Sequence, residues 1–197
     1  MTRIFAAAFL KALSEFRVRK QRLAPLVTIV AHEGQEQQRS GTMLKKRKLG
    51  RRIGEIQVGE KLVFQAAIED KDLLLYLGLT DDANPLYIQH DYASQTPFGK
   101  PVVPPIMLMG MITSAVSKYL PGPGSYITRN DIRFLRPVYH YETLEFLLEV
   151  TDVDEASHCV TLAVTATRGA EMVLTGELSA CPPHTLPRLD SRALENF

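Results

Sequence analysis

The amino-acid sequence predicts an α+β domain in which an antiparallel sheet wraps around one long apolar helix. Two observations support this prediction. No charged residue occurs between Pro101 and Ser117, and four strand-like runs separated by short polar turns follow this segment. A helix without charge cannot face water on all sides, so the later strands are expected to cover it.

The elements before this helix are weaker in pattern. Residues 62–67 alternate in the manner of a first strand. Glu69–Leu77 carries acidic residues in its first turn and is followed by Gly78, which predicts a helix that ends at this glycine. Asp91–Gln95 is predicted to add another helical turn.

The long helix is predicted over Pro104–Leu120, because a proline pair suits the first turn and Pro121 follows the end. The apolar part is shorter than the roughly 20 residues that a bilayer requires, so no transmembrane segment is predicted. The four strand-like runs are Tyr126–Phe134, Thr143–Val153, His158–Thr167 and Met172–Ala180.

A long hydrophobic helix followed by an antiparallel meander is typical of the hotdog fold, in which the sheet curls around the helix. Ferredoxin-like and cystatin-like α+β domains share part of this order. They do not require a helix that is apolar all round, so the hotdog fold is preferred.

Composition and charge describe a globular domain with a basic leader. The chain has 197 residues, 45% of them hydrophobic and 23% charged, which suits one domain with a real core. Residues 1–52 hold 13 Lys or Arg and 3 Asp or Glu, whereas residues 53–197 hold 10 and 19. Such a leader suits RNA, an anionic membrane, an import machinery or plain solvation. A solvated tail is the simplest of these interpretations, and no nucleic-acid partner is predicted.

The leader also sets the predicted domain boundaries. Residues 3–20 have the spacing of a short amphipathic helix, and residues 31–42 are polar and lack periodicity, as in a linker. Two origins stay open: a native extension, or an upstream reading frame with translation starting at Met43. The predicted division is an extension at 1–42, a basic lead-in at 43–54, the hotdog domain at 55–182 and a tail at 183–197.

Cysteine usage and missing motifs narrow the chemistry. Cys159 and Cys181 are the only cysteines, which excludes a disulfide framework and favours a reducing, cytoplasmic setting. The five histidines lack ligand spacing with cysteines or carboxylates, and neither a glycine-rich phosphate loop nor a nucleophile elbow occurs. No metal and no cofactor is therefore predicted.

The densest polar cluster is the string TDDANPLY at residues 80–87, followed by IQHDYA at 88–93. Taken alone, it is a loop between two helices in which Asp81, Asp82 and Asn84 serve as turn and cap residues.

At this string the sequence resembles the MaoC-like hydratases and dehydratases of acyl thioesters. Their motif runs Gly-Asp-x-Asn-Pro-Leu-His, continues to Tyr-Ala, and reaches the apolar helix through Phe-Gly-x-Pro. The matching segments here are DDANPLY, IQHDYASQTPFGKPVV and PPIMLMGMITSAV, and RFLRPVYHYETLEFLLEV resembles a later strand segment of the family. The resemblance covers about residues 55–180.

The resemblance implies a dimeric hotdog domain that handles 2-enoyl or 3-hydroxyacyl thioesters of coenzyme A or acyl carrier protein. The catalytic Asp of the family falls on Asp82 and its Asn on Asn84, whereas its catalytic His falls on Tyr87. An imidazole exchanges protons at neutral pH, but a phenol with a pKa near 10 stays mostly protonated and can only donate or position water.

A second departure lies at the start of the long helix. Many catalytic relatives carry His-Gly where this chain has Pro104-Pro105, and Pro105 has no N–H for an enolate oxygen. Ile106 then supplies the first donor, and Pro105, Ile106 and Met107 are the predicted substrate-binding residues. His90, three residues after Tyr87, is predicted to be a surface residue.

Three functions stay open at this point. The first is a hydratase or dehydratase, acting alone with altered residues or as one subunit of a mixed hotdog dimer. The second is a module that binds acyl-CoA without turning it over. The third is thioester hydrolysis, which the same fold hosts. Acyl chain length and the choice between coenzyme A and carrier protein are not fixed by the sequence.

Overall fold

A curled sheet and one long helix form the body of the structure, a computed structural model that describes residues 27–28 and 49–184. The predicted hotdog fold is confirmed. The strands are β1 (Val27–Thr28), β2 (Lys61–Ala67), β3 (Tyr126–Phe134), β4 (Thr143–Asp154), β5 (Cys159–Arg168) and β6 (Glu171–Cys181). The helices are α1 (Asp70–Thr80), α2 (Pro85–Ile88), α3 (His90–Ser94) and α4 (Pro105–Lys118), with a 3-10 turn at Ile53–Glu55.

Within the described residues the strands form one sheet in the order β1-β2-β4-β5-β6-β3. All neighbours are antiparallel except the short β1, which runs parallel to β2. Strands β4, β5 and β6 are a meander joined by tight turns, whereas β3 lies at the far edge and pairs with β6. Alternate residues of β5 are fully buried, so one face of the sheet forms the core.

Helix α4 packs one face into the concave side of the sheet. Met107, Leu108, Ile112, Ala115 and Val116 are buried there. The opposite side of the helix is open, and the Ile106 side chain is 56% exposed. The sheet of a single chain therefore covers α4 on one face only, whereas its composition predicted burial on most sides.

Helix α1 corrects one sequence-based boundary. The predicted end at Gly78 is wrong, because the helix continues to Thr80. Asp81 ends it instead: this residue adopts the left-handed conformation, φ 54°, and its N–H donates to the Leu77 carbonyl at 2.9 Å. Aspartate is one of the few non-glycine residues that tolerate this conformation, so it replaces the glycine expected at a helix end.

The remaining boundaries agree closely with the prediction, except that β1 and α2 were not predicted. Strand β3 has the expected limits, and the other strand ends differ by one residue. Within the described ranges, no helix is long and apolar enough to cross a bilayer. The predicted helix at 3–20, the linker at 31–42, Met43 and most of the tail at 183–197 lie outside the described residues.

Candidate functional site

The polar string identified in the sequence forms the connection between α1 and α2. It is anchored at both ends by hydrogen bonds. The Thr80 hydroxyl donates to the Tyr76 carbonyl at 2.8 Å, and the Val102 N–H donates to the Leu86 carbonyl at 3.1 Å. The second bond ties the string to the segment that leads into α4, so the predicted site and the long helix share one region of the fold.

Asp82 is half-buried, and both of its carboxylate oxygens accept a hydrogen bond. The Tyr76 hydroxyl donates to Oδ2 at 2.5 Å, and the Asn84 N–H donates to Oδ1 at 3.2 Å. A carboxylate offers about four lone-pair positions, so each oxygen keeps capacity for one further donor such as water. The carboxylate is therefore held in one orientation and can still accept a proton.

Asn84 has the local capping role that the sequence, taken alone, predicted for it. Its side-chain Oδ1 accepts a hydrogen bond from the Leu86 N–H at 3.0 Å and so caps α2, with Pro85 at the first helical position. The same residue donates its backbone N–H to Asp82. Asn84 thus joins the cap of α2 to the orientation of the candidate acid.

Tyr87 occupies the position of the family histidine and lies beside Tyr76, the residue that donates to Asp82. Its ring is half-buried and meets the Tyr76 ring edge-on, with 6.5 Å between the ring centroids and 78° between the planes. His90 at the start of α3 is exposed, as predicted. The structure thus groups Asp82 with two tyrosines.

Tyr76 is a site residue that the sequence analysis missed. It lies in α1, six residues before Asp82, and the turn made by Asp81 brings the two side chains together. The hydrogen bond to Asp82, together with partial burial, raises the pKa of the Tyr76 phenol above its usual 10.0. A tyrosine in the last turn of the predicted helix was the only signal available in the sequence.

At the start of α4, the three predicted substrate-binding residues differ in their exposure. Pro105 and Ile106 are exposed, whereas Met107 is buried and its N–H donates to the Pro104 carbonyl at 2.9 Å. The N–H of the second helical residue has no intrahelical acceptor. The Ile106 N–H is therefore a donor without an intrahelical acceptor, as the sequence predicted for this turn.

A cavity of about 330 Å³ lies between β2, α1 and α4. Its walls are mostly apolar, and Asp72 and Lys118 are the charged residues that reach it. Met107 lines it, and so does Leu75, the neighbour of Tyr76 in α1. The remaining lining residues are Phe64, Gln65, Ala66, Ala67, Gly110, Met111, Ser114, Ala115 and Tyr119.

Among residues 27–28 and 49–184, no three His, Cys, Asp or Glu side chains converge in a way that could hold a metal ion. The arrangement instead offers an oriented carboxylate, two phenols, a helix-start amide and an apolar cavity. These groups suit proton transfer and binding of an apolar chain.

Comparisons with known proteins agree on one group. A sequence model of the MaoC-like domain matches residues 55–171. An (R)-specific enoyl-CoA hydratase from Rhodospirillum rubrum is 28% identical over 129 residues, which are 66% of this chain and 90% of that protein. A 3-hydroxybutyryl-CoA dehydratase from Methylorubrum extorquens is 28% identical over 62% of this chain and 78% of its own. The solved R-hydratase from Pseudomonas aeruginosa has a TM-score of 0.63 and 26% identity, covering 72% of this chain and 96% of that structure.

Proposed function

This chain belongs to the MaoC-like domain family, and from that premise we propose that it adds water to 2-enoyl thioesters and catalyses the reverse dehydration of 3-hydroxyacyl thioesters. The main support is the Asp82 carboxylate at the family's catalytic position. It is half-buried and oriented by Tyr76 and Asn84, and it keeps lone pairs free for water. The names of the hydratase and dehydratase relatives add support for the reaction class.

In the proposed mechanism Asp82 performs the proton transfers. It takes one proton from water while the oxygen forms a bond to the β-carbon, and the electron pair moves to the thioester oxygen as an enolate. The Ile106 amide stabilises that oxygen. Asp82 then returns the proton to the α-carbon, so the carboxylate is regenerated. The Tyr87 phenol orients the water.

A hydration assay tests this proposal. Purified protein is incubated with crotonyl-CoA and with a longer enoyl-CoA, and loss of the conjugated double bond is followed by absorbance. We expect hydration without release of free thiol. Release of thiol without hydration would contradict the proposal and favour thioester hydrolysis.

One alternative has specific observations in its favour. Tyr87 replaces an imidazole and Pro105 lacks an N–H, and both changes remove groups that assist the reaction. These departures favour a module that binds acyl-CoA without converting it. Tight binding of crotonyl-CoA in calorimetry together with no hydration would establish this alternative.

We propose that the cavity beside α4 accepts the acyl chain. Gly110 lines it, and a Cβ at this position would meet no other atom within 4 Å. Gly110→Leu is therefore expected to fill the cavity without disturbing the helix. Since one methylene in an apolar pocket changes the rate about 10-fold or more, kcat/KM for the long enoyl-CoA should fall at least about 10-fold relative to crotonyl-CoA.

Gly78→Leu is the matched control, because Gly78 is also an exposed helical glycine with open space around it and does not line the cavity. It should leave the ratio of long-chain to short-chain kcat/KM unchanged. An unchanged ratio in Gly110→Leu would show that the acyl chain binds elsewhere.

We further propose that the protein acts in a cytoplasmic setting, where its two thiols stay free.

We also propose that it acts as a dimer through the edge strand β3. Strand β3 ends the sheet, and most of its side chains are exposed, Tyr126 among them at 73%. An open edge of this kind invites pairing with a second strand. Ultracentrifugation at micromolar concentration should give a dimer. A monomer would contradict the homodimer. Co-purification would then test for a mixed dimer with another hotdog subunit.

A further inference from the structure

Tyr76 makes two kinds of contact, an apolar one through its ring and a hydrogen bond through its hydroxyl. Its ring packs against the hydrophobic core, which fixes the side chain. Its hydroxyl leaves the core and donates to Asp82 Oδ2 at 2.5 Å. A phenol fixed in this manner can define where a carboxylate points.

The two hydrogen bonds on Asp82 are unequal. The bond from Tyr76 to Oδ2 is short and charge-assisted, whereas the bond from the Asn84 N–H to Oδ1 is 3.2 Å long. A strong donor on Oδ2 withdraws electron density from that oxygen. Oδ1, which holds only the longer bond, is therefore the oxygen that is left for the attacking water.

The direction of the Tyr76 bond is also fixed. Its phenol pKa is raised, first by the hydrogen bond to Asp82 and then by desolvation and by the charges of Asp82 and Tyr87, the titratable groups that face it. Tyr76 therefore remains the donor and Asp82 the acceptor at neutral pH.

We propose that Tyr76 is the positioning residue of the site: it orients the Asp82 carboxylate and directs Oδ1 toward the attacking water. This inference rests on the proposed hydratase function. It assigns the orienting role to a side chain of α1 and leaves Tyr87, in the histidine position, to contact water. Tyr76 does not touch substrate, so its removal should change kcat and leave binding intact.

Tyr76→Phe tests the inference, because phenylalanine keeps the packing and removes only the hydroxyl. We expect kcat for crotonyl-CoA hydration to fall about 10- to 100-fold, as for a lost hydrogen bond to a charged group, with KM changed less than about twofold.

Tyr141→Phe is the matched control. The Tyr141 hydroxyl also donates to an aspartate, Asp70, but this pair joins the β3–β4 connection to the start of α1, at the opposite end of that helix from Asp82, and the Tyr141 side chain is exposed. This variant should keep the wild-type kcat and KM. If Tyr76→Phe also keeps them while the wild type is active, the inference fails and the hydratase function stands.

A second measurement does not depend on activity. Ring-labelled tyrosine is followed by NMR through an alkaline titration, and the Tyr76 signal is assigned as the one lost in Tyr76→Phe. In Asp82→Asn this signal should titrate at lower pH than in the wild type, because the hydrogen bond to a carboxylate, the main cause of the raised pKa, is replaced by one to a neutral amide, and the carboxylate charge is gone. An unshifted signal would overturn the Tyr76–Asp82 pair. A wild type without hydratase activity would overturn both the function and the positioning role.

Discussion

Asp82→Asn is expected to lower the rate of enoyl-thioester hydration by about 100- to 10,000-fold, the usual contribution of a general acid–base group. Asparagine has nearly the shape of aspartate, and its side-chain oxygen can still accept the Tyr76 hydroxyl. It cannot take a proton from water at neutral pH. The loss should therefore appear in kcat for crotonyl-CoA, measured beside a thermal melt that verifies folding.

Asp81→Asn is the control for this experiment. Asp81 is exposed, occupies the left-handed position that ends α1, and lies one residue from Asp82. Asparagine tolerates this conformation as well as aspartate does, so the variant removes a neighbouring charge without changing the turn. If the wild type is active and neither Asp82→Asn nor Asp81→Asn lowers its rate, the role assigned to Asp82 is wrong.

Tyr87→His is expected to raise hydratase activity, by about 100-fold if the imidazole contributes at the lower end of acid–base catalysis. Histidine is smaller than tyrosine and should fit the half-buried position. Its pKa near 6.5 lets it accept and donate protons where the phenol cannot. The gain is measured as kcat/KM for crotonyl-CoA, and it requires that the Ile106 amide supplies the donor that Pro105 lacks.

Tyr92→His provides the comparison, since Tyr92 lies in α3 with half of its surface exposed and should give no gain. If wild type and Tyr87→His are both inactive while acyl-CoA still binds, the binding-module interpretation replaces the enzyme. Activity that appears only after mixing with a histidine-bearing hotdog subunit would instead establish a mixed dimer.

Strands β4 and β5 could be predicted closely because buried side chains alternate with more exposed ones along them. Strand β3 was predicted with its observed limits although most of its side chains are exposed. The end of α1 could not, since glycine is the usual signal and Asp81 takes its conformational role. The exposed side of α4 was also missed. Hydrophobicity alone does not tell which face of a helix the sheet of one chain will reach.

At the candidate site the sequence supplied Asp82, Asn84 and Tyr87 through a motif, and the structure brings them together. Tyr76 belongs to no part of that motif. Its contact with Asp82 depends on the length of α1 and on the turn at Asp81, so it emerges only from three-dimensional geometry. The cavity is formed likewise by three elements that are distant in sequence.

The pairing of β2 with β4 has a consequence for how the domain folds. Residues 168 and 171 pair across a turn of two residues, but the pair Ala67 and Thr143 closes a loop of 75 residues that contains every candidate site residue. Closing long loops costs more conformational entropy and slows folding. The meander is therefore expected to form early, and the site reaches its working geometry only when β2 docks as one of the last events on the folding pathway.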